Sequence, residues 1–160
     1  MMLDTFTVSF FGHRYIDNYF AVEKKLEELV RGLLESKNYV EFLIGRDGEF
    51  DQIVASTVKA VKRSVGDDNS ALVWVMAYPK AEYSNNEESF DDYYDEIEIC
   101  EASSQCHFKS AIQVRNRNMV DRSDLVVCFV ERDSGGAYST LQYAQKQEKQ
   151  VINLAESENE

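Results

Sequence analysis

Apolar residues along this chain follow two alternating rhythms. Short β-rich runs at 6–11, 39–44, 71–76, 124–130 and 150–154 are separated by longer stretches in which apolar residues return at helical spacing. The first run, Phe-Thr-Val-Ser-Phe-Phe, stops at Gly12, and Asp17 or Asn18 is placed to cap the helix that follows. In that helix Phe20, Leu26, Leu29, Val30, Leu33 and Leu34 form the stripe expected to face a core. Further helices are predicted over about 51–64, 109–122 and 138–147. The run 71–76, Ala-Leu-Val-Trp-Val-Met, is apolar throughout, as in a strand covered on both faces.

Strand and helix alternating five times predict an α/β fold of Rossmann-like, doubly wound type. Its mostly parallel five-stranded sheet would carry helices on both faces, with strand order 3-2-1-4-5. Ligands of such sheets sit at the carboxyl ends of the strands where the order reverses, here between the first and fourth strands. One domain over 1–160 is expected, since 160 residues suffice for one core. The segment at about 80–105 departs from the pattern. Its carboxylates, among them Glu82, Glu87, Glu88, Asp91 and Asp92, make it the most acidic stretch of the chain. It reads as an acidic insert, a solvated loop and short amphipathic helix, with an acidic lid or partner-binding face as the sharper alternative. The tail 156–160 is expected to fray.

Composition adds constraints. Nine Phe, nine Tyr and one Trp supply large core side chains. No apolar run approaches the roughly 18 residues of a membrane span. The first residues, Met1-Met2-Leu3-Asp4, lack the shape of a secretory signal, so a cytoplasmic protein is expected. Three cysteines form no disulfide framework, and Cys128 in an apolar run is expected to be buried. Cys100, Cys106 and His107 lack a second close ligand pair, so no metal is expected. The net charge of −12 repels polyanions, which makes nucleic acid an unlikely partner on this ground.

Chemistry concentrates in the loops at the predicted switch point. After the first strand, Gly12 allows close backbone approach, Arg14 offers a planar fork for phosphate, and His13 can donate to phosphate or shuttle a proton. After the fourth strand, Arg132, Ser134, Gly135, Gly136, Ala137, Tyr138, Ser139 and Thr140 open a helix whose first amides can cradle an anion. After the second strand, Gly45 and Arg46 lead to Asp47, Glu49 and Asp51, any of which could hold a ribose hydroxyl. Asp51 could equally be a helix cap. Arg115 and Asn118 lie three apart on the helix before the fourth strand, while Met119 and Val120 turn inward.

Two of these segments resemble the SLOG superfamily of Rossmann-like nucleotide-binding proteins, which joins DprA-like, YpsA-like and lonely-guy-like members. Phe11-Gly12-His13-Arg14 is similar to the Gly-His-Arg opening of the YpsA-like branch. The stretch 115–140, with Arg115, Met119, Ser123-Asp124 and Gly135-Gly136 to Thr140, resembles the order of motifs in lonely-guy enzymes. Those enzymes hydrolyse nucleoside monophosphates through an Arg, matched by Arg115, and a Glu after the glycine-rich motif. That Glu is missing, because Tyr143 stands third after Thr140, and the loop is one residue longer with Ser139 replacing a glycine. Glycosidic cleavage then lacks its main carboxylate unless Glu131 or Glu49 substitutes. By resemblance alone, a homodimer is expected.

The leading expectation is therefore a binding protein rather than an enzyme. It would sense, carry or sequester a nucleotide-derived small molecule such as ADP-ribose, NAD or a cyclic nucleotide, with no cofactor required. The competing readings are a nucleotide N-glycosidase acting through Arg115, and a protein-interaction module docking a basic partner on the acidic segment.

Overall fold

A computed structural model describes residues 4–66 and 68–156. Of the tail expected to fray, 156–160, residues 157–160 lie outside them. The strands are β1 (Thr5–Gly12), β2 (Tyr39–Ile44), β3 (Ser70–Met76), β4 (Glu96–Ile99), β5 (Leu125–Phe129) and β6 (Gln150–Asn153). The helices are α1 (Tyr19–Ser36), α2 (Glu49–Val65), α3 (Ala81–Ser84), α4 (Glu87–Tyr93), α5 (Glu101–Ser104), α6 (Phe108–Asp121) and α7 (Gly136–Lys146). All pairings are parallel, in the order β4-β3-β2-β1-β5-β6.

The fold is Rossmann-like α/β, with one strand more than expected. The extra strand, β4, arises inside the acidic segment and extends the expected order at the β3 edge. Glu96-Ile97-Glu98-Ile99 alternates with period two, and Val73 to Met76 pair with it residue by residue. The helical spacing of Phe90, Tyr93, Tyr94 and Ile97 masked that shorter rhythm. Charged side chains suit an edge strand, because they discourage pairing with another chain.

Period two within the strands also explains the two cores. Val8, Phe10, Phe42, Trp74 and Val127 face α1 and α2, with Leu26, Val30, Ile53 and Val58 buried against them. Phe11, Leu43, Val73, Val126 and Cys128 face the other way, against Met119, Val120, Leu141 and Ala144 of α6 and α7. Burial pushes the Cys128 thiol up to about 12, so it stays protonated. Among the described residues no helix is long and apolar enough to cross a membrane.

Two local expectations are corrected. Phe20 does not belong to the buried stripe of α1, being 82% exposed; Val22 takes the inward position instead. The 80–105 segment is more than a solvated loop. Its carboxylates at Glu82, Glu87, Glu88, Asp91 and Asp92 are exposed, yet Phe90 and Tyr94 pack on Trp74 with ring centroids 5.0 and 5.4 Å away. Asp95 fixes the entry to β4 by accepting from the Leu72 amide at 2.7 Å and from Lys62 Nζ at 2.6 Å.

Candidate functional site

The carboxyl ends of β1 and β5 lie side by side where the strand order reverses, and a cavity of about 440 Å³ opens there. Three loops and one helix line it. The β1–α1 loop contributes Gly12, His13 and Arg14; the β5–α7 loop contributes Arg132, Ser134 and Gly135, leading into Gly136 and Ala137. From the β2–α2 loop come Gly45, Asp47 and Gly48, with Asp51 below them, while α6 offers Ile112, Gln113 and Asn116.

The first loop is held rigidly. Glu49 N donates to Arg14 O at 2.8 Å, and the Glu49 carboxylate accepts from the Ile16 amide at 2.7 Å. A side chain at position 48 would place its Cβ 2.6 Å from Arg14 Cα, so only glycine permits this approach of the two loops. Arg14 is therefore presented from a fixed backbone, with its side chain exposed at the cavity.

His13 spans the switch point. It is buried, stands edge-on to Phe129, and accepts from the Glu131 amide at Nε2 over 2.8 Å. Burial, then the charge of Arg132, lowers its pKa, against a smaller opposing effect of Glu131. The ring is thus neutral with its proton on Nδ1, and it ties the β1 and β5 loops together rather than offering Nε2–H to an anion.

At the start of α7, Gly135 has φ 94°, a left-handed conformation that glycine adopts without strain. No side chain caps this helix, and Ser139 N, donating to Gly135 O at 3.0 Å, is the first amide engaged. The amides of Gly136, Ala137 and Tyr138 are the ones a helix leaves free at its start, so they suit an anion. Thr140 is buried beneath them, donating to Gly136 O and accepting from Asn116 Nδ2 at 3.2 Å.

The cavity floor is a buried polar network. Arg115 is fully buried and donates to Gly45 O, Val75 O, the Asn116 amide oxygen and the Asp47 carboxylate. The Asp51 carboxylate accepts from the Asp47 amide at 2.8 Å. Burial and the neighbouring Asp47 charge push the Asp51 pKa up to about 7. The helix cap is Gly48, so Asp51 reaches back from inside α2 instead of capping it.

The two shifted groups act on stability with opposite signs. His13 has a folded-state pKa below 6.5, so its contribution is present above pH 6.5 and lost as pH falls. Asp51 lies above its unfolded value of 3.8, so its contribution is present below pH 3.8 and lost as pH rises through 7. Asp51→Asn is expected to gain on the order of 2 kcal/mol over the wild type between pH 5 and pH 8. Urea denaturation at the two pH values reads this, and an unchanged difference contradicts it.

Other residues singled out in the sequence lie elsewhere. Arg115 is absent from the cavity lining, because its guanidinium is buried and spent on main-chain carbonyls and Asp47. Asn118 is exposed on a separate depression with Glu98, Cys100 and Arg122. Arg46 stacks 4.9 Å over Phe90 and pairs with Glu82, which draws it toward the acidic segment. Tyr138 accepts at its hydroxyl from Gln142, and Ser139 is exposed on α7 outside the cavity lining. Tyr143 donates to Asp121 at 2.7 Å on the outer surface. Gln113 and Asn116 were missed, although one helical turn from Ile112 places 112, 113 and 116 together.

Arg14 and Arg132 make no ion pair among the described residues. At the cavity they are two unpaired cations in a chain of net charge −12.

No family model and no curated protein matches the sequence. Solved structures do share the fold. DNA processing protein A from Helicobacter pylori, described by its single-stranded DNA binding mode, aligns over 97% of this chain and 67% of its own, with TM-score 0.65 and 17% identity. DNA processing protein A (DprA) from Streptococcus pneumoniae aligns over 92% of this chain, with TM-score 0.65 and 16% identity. The chain spans about half the length of that second protein, 49%. At this identity the likeness shows a shared fold, which agrees with the Rossmann-like α/β class expected from the sequence. The same neighbours overturn two expectations, that of a small-molecule nucleotide ligand and that of nucleic acid as an unlikely partner. The reason is physical: net charge is a sum over the surface. Seven of the 29 carboxylates lie on α3, α4 and β4, outside the cavity that Arg14 and Arg132 line.

Proposed function

We propose that the chain binds single-stranded nucleic acid, seating a backbone phosphate between Arg14, Arg132 and the amides at the start of α7. The observation that carries this reading is the pair of arginines, without an ion pair among the described residues, over helix amides that no side chain caps, at the switch point of the sheet. Phosphate suits both elements: the planar fork of Arg and the positive end of a helix. The fold shared with DNA processing proteins, one of them described for its single-stranded DNA binding, supports the same ligand class.

A single strand fits better than a duplex. Beyond the mouth the surface is acidic, and a duplex would bring its denser charge against it. A flexible strand can present one or two phosphates to a cavity of about 440 Å³ and keep the rest away. Binding without base contacts of this kind falls at a Kd of about 10⁻⁴ to 10⁻⁶ M at physiological salt. Titrating the protein into a fluorescein-labelled dT 20-mer, followed by anisotropy, should give a Kd in that range. The duplex of the same length should bind more weakly, and equal or tighter duplex binding contradicts the reading.

A further inference from the structure

Phe20 is the one member of the predicted α1 stripe that turns out almost fully exposed, and it is not isolated. Tyr15 is 72% exposed, Tyr19 44% and Phe20 82%, so three large aromatic rings reach solvent within six residues. Loose backbone does not explain them. Ile16 between them is buried with its amide held by Glu49, and Val22 beyond them is buried with its amide bonded to Asn18 O. The segment is fixed at both ends while its rings point outward. Tyr19 and Phe20 stand edge-to-face with centroids 5.9 Å apart. Tyr15 directly follows Arg14, which lines the cavity.

We infer that Tyr15, Tyr19 and Phe20 form a stacking platform for the bases flanking the phosphate held by Arg14. This rests on the single-strand reading above and deepens it. Three features favour a nucleobase over an apolar protein surface. The neighbouring Asp17, Asn18 and Lys24 are polar and exposed, so the rings are separate faces rather than one continuous apolar patch. The rings continue directly from a cation that suits phosphate. Aromatic faces beside a cationic groove hold single strands without sequence preference, since every base has a π-face. The platform also explains how so acidic a protein keeps a polyanion: stacking adds affinity that charge does not supply.

The test compares a dT 20-mer with an abasic strand of the same length and charge. The wild type is expected to bind dT at least tenfold more tightly than the abasic strand. Tyr15→Ala/Phe20→Ala should bind both strands at the wild-type abasic affinity. Phe20→Trp should keep the preference, and its added exposed fluorescence should be quenched by dT but not by the abasic strand. Equal wild-type affinity for the two strands, with binding still lost in Arg14→Ala, overturns the platform and leaves the phosphate site standing. Absence of binding to either strand overturns both. If the fluorescence of the Phe20→Trp variant follows protein concentration instead of added strand, the rings mark a contact between two copies, and the platform is overturned as well.

Discussion

Arg115→Met is expected to lower the unfolding free energy by about 3–5 kcal/mol, read by urea denaturation at pH 7. The guanidinium has no solvent exposure and satisfies four groups at once: the carbonyls of Gly45 and Val75, the Asn116 amide oxygen and the Asp47 carboxylate. Removing it leaves Asp47 with only the Lys80 ammonium 4.0 Å away and takes the guanidinium donors from the Gly45 and Val75 carbonyls inside the protein. Arg115→Lys should lose most of the same stability, because a point charge on a flexible stem does not reproduce a five-donor fork. Gly45 belongs to the same arrangement: a Cβ there would lie 2.7 Å from the guanidinium carbon. A loss below about 1 kcal/mol for Arg115→Met would show that the network is not structural.

The second large effect is on binding. Arg14→Glu/Arg132→Glu is expected to weaken the dT 20-mer by at least about 100-fold, while leaving the urea midpoint close to that of the wild type. Each charge-assisted contact to phosphate contributes roughly 1.5–3 kcal/mol, and about 1.4 kcal/mol is a tenfold change in Kd. Two lost contacts therefore reach 100-fold before the repulsion of two new carboxylates is counted. Stability should be spared because both side chains are exposed and neither is ion-paired among the described residues.

Much of the architecture is written in local periodicity. Apolar runs such as 71–76 mark the covered strands, and the strand order follows from crossover handedness, so the switch point between β1 and β5 could be located in advance. β4 could not be separated from a helix, because four residues of Glu-Ile alternation overlap a longer aromatic spacing. Side-chain direction at the site was less legible. Arg14 and Arg115 look alike in sequence, yet one lines the cavity and the other is entombed beneath it. The difference depends on where α6 meets the β2–α2 loop, 70 residues apart in sequence between Arg115 and Gly45. Nor does net charge reveal where charges sit. The value of −12 hid two arginines at the cavity that have no ion pair among the described residues, and it turned the expectation away from nucleic acid.

Salt dependence of the dT 20-mer affinity, measured for the wild type and for Arg14→Glu/Arg132→Glu, tests the phosphate site most directly. One phosphate neutralised at that seat predicts a slope of log K against log salt of about −0.7 for the wild type on a single strand. The paired variant should show weak binding and a slope near zero. Equal affinities and equal slopes for the two proteins would contradict a phosphate seated between Arg14 and Arg132.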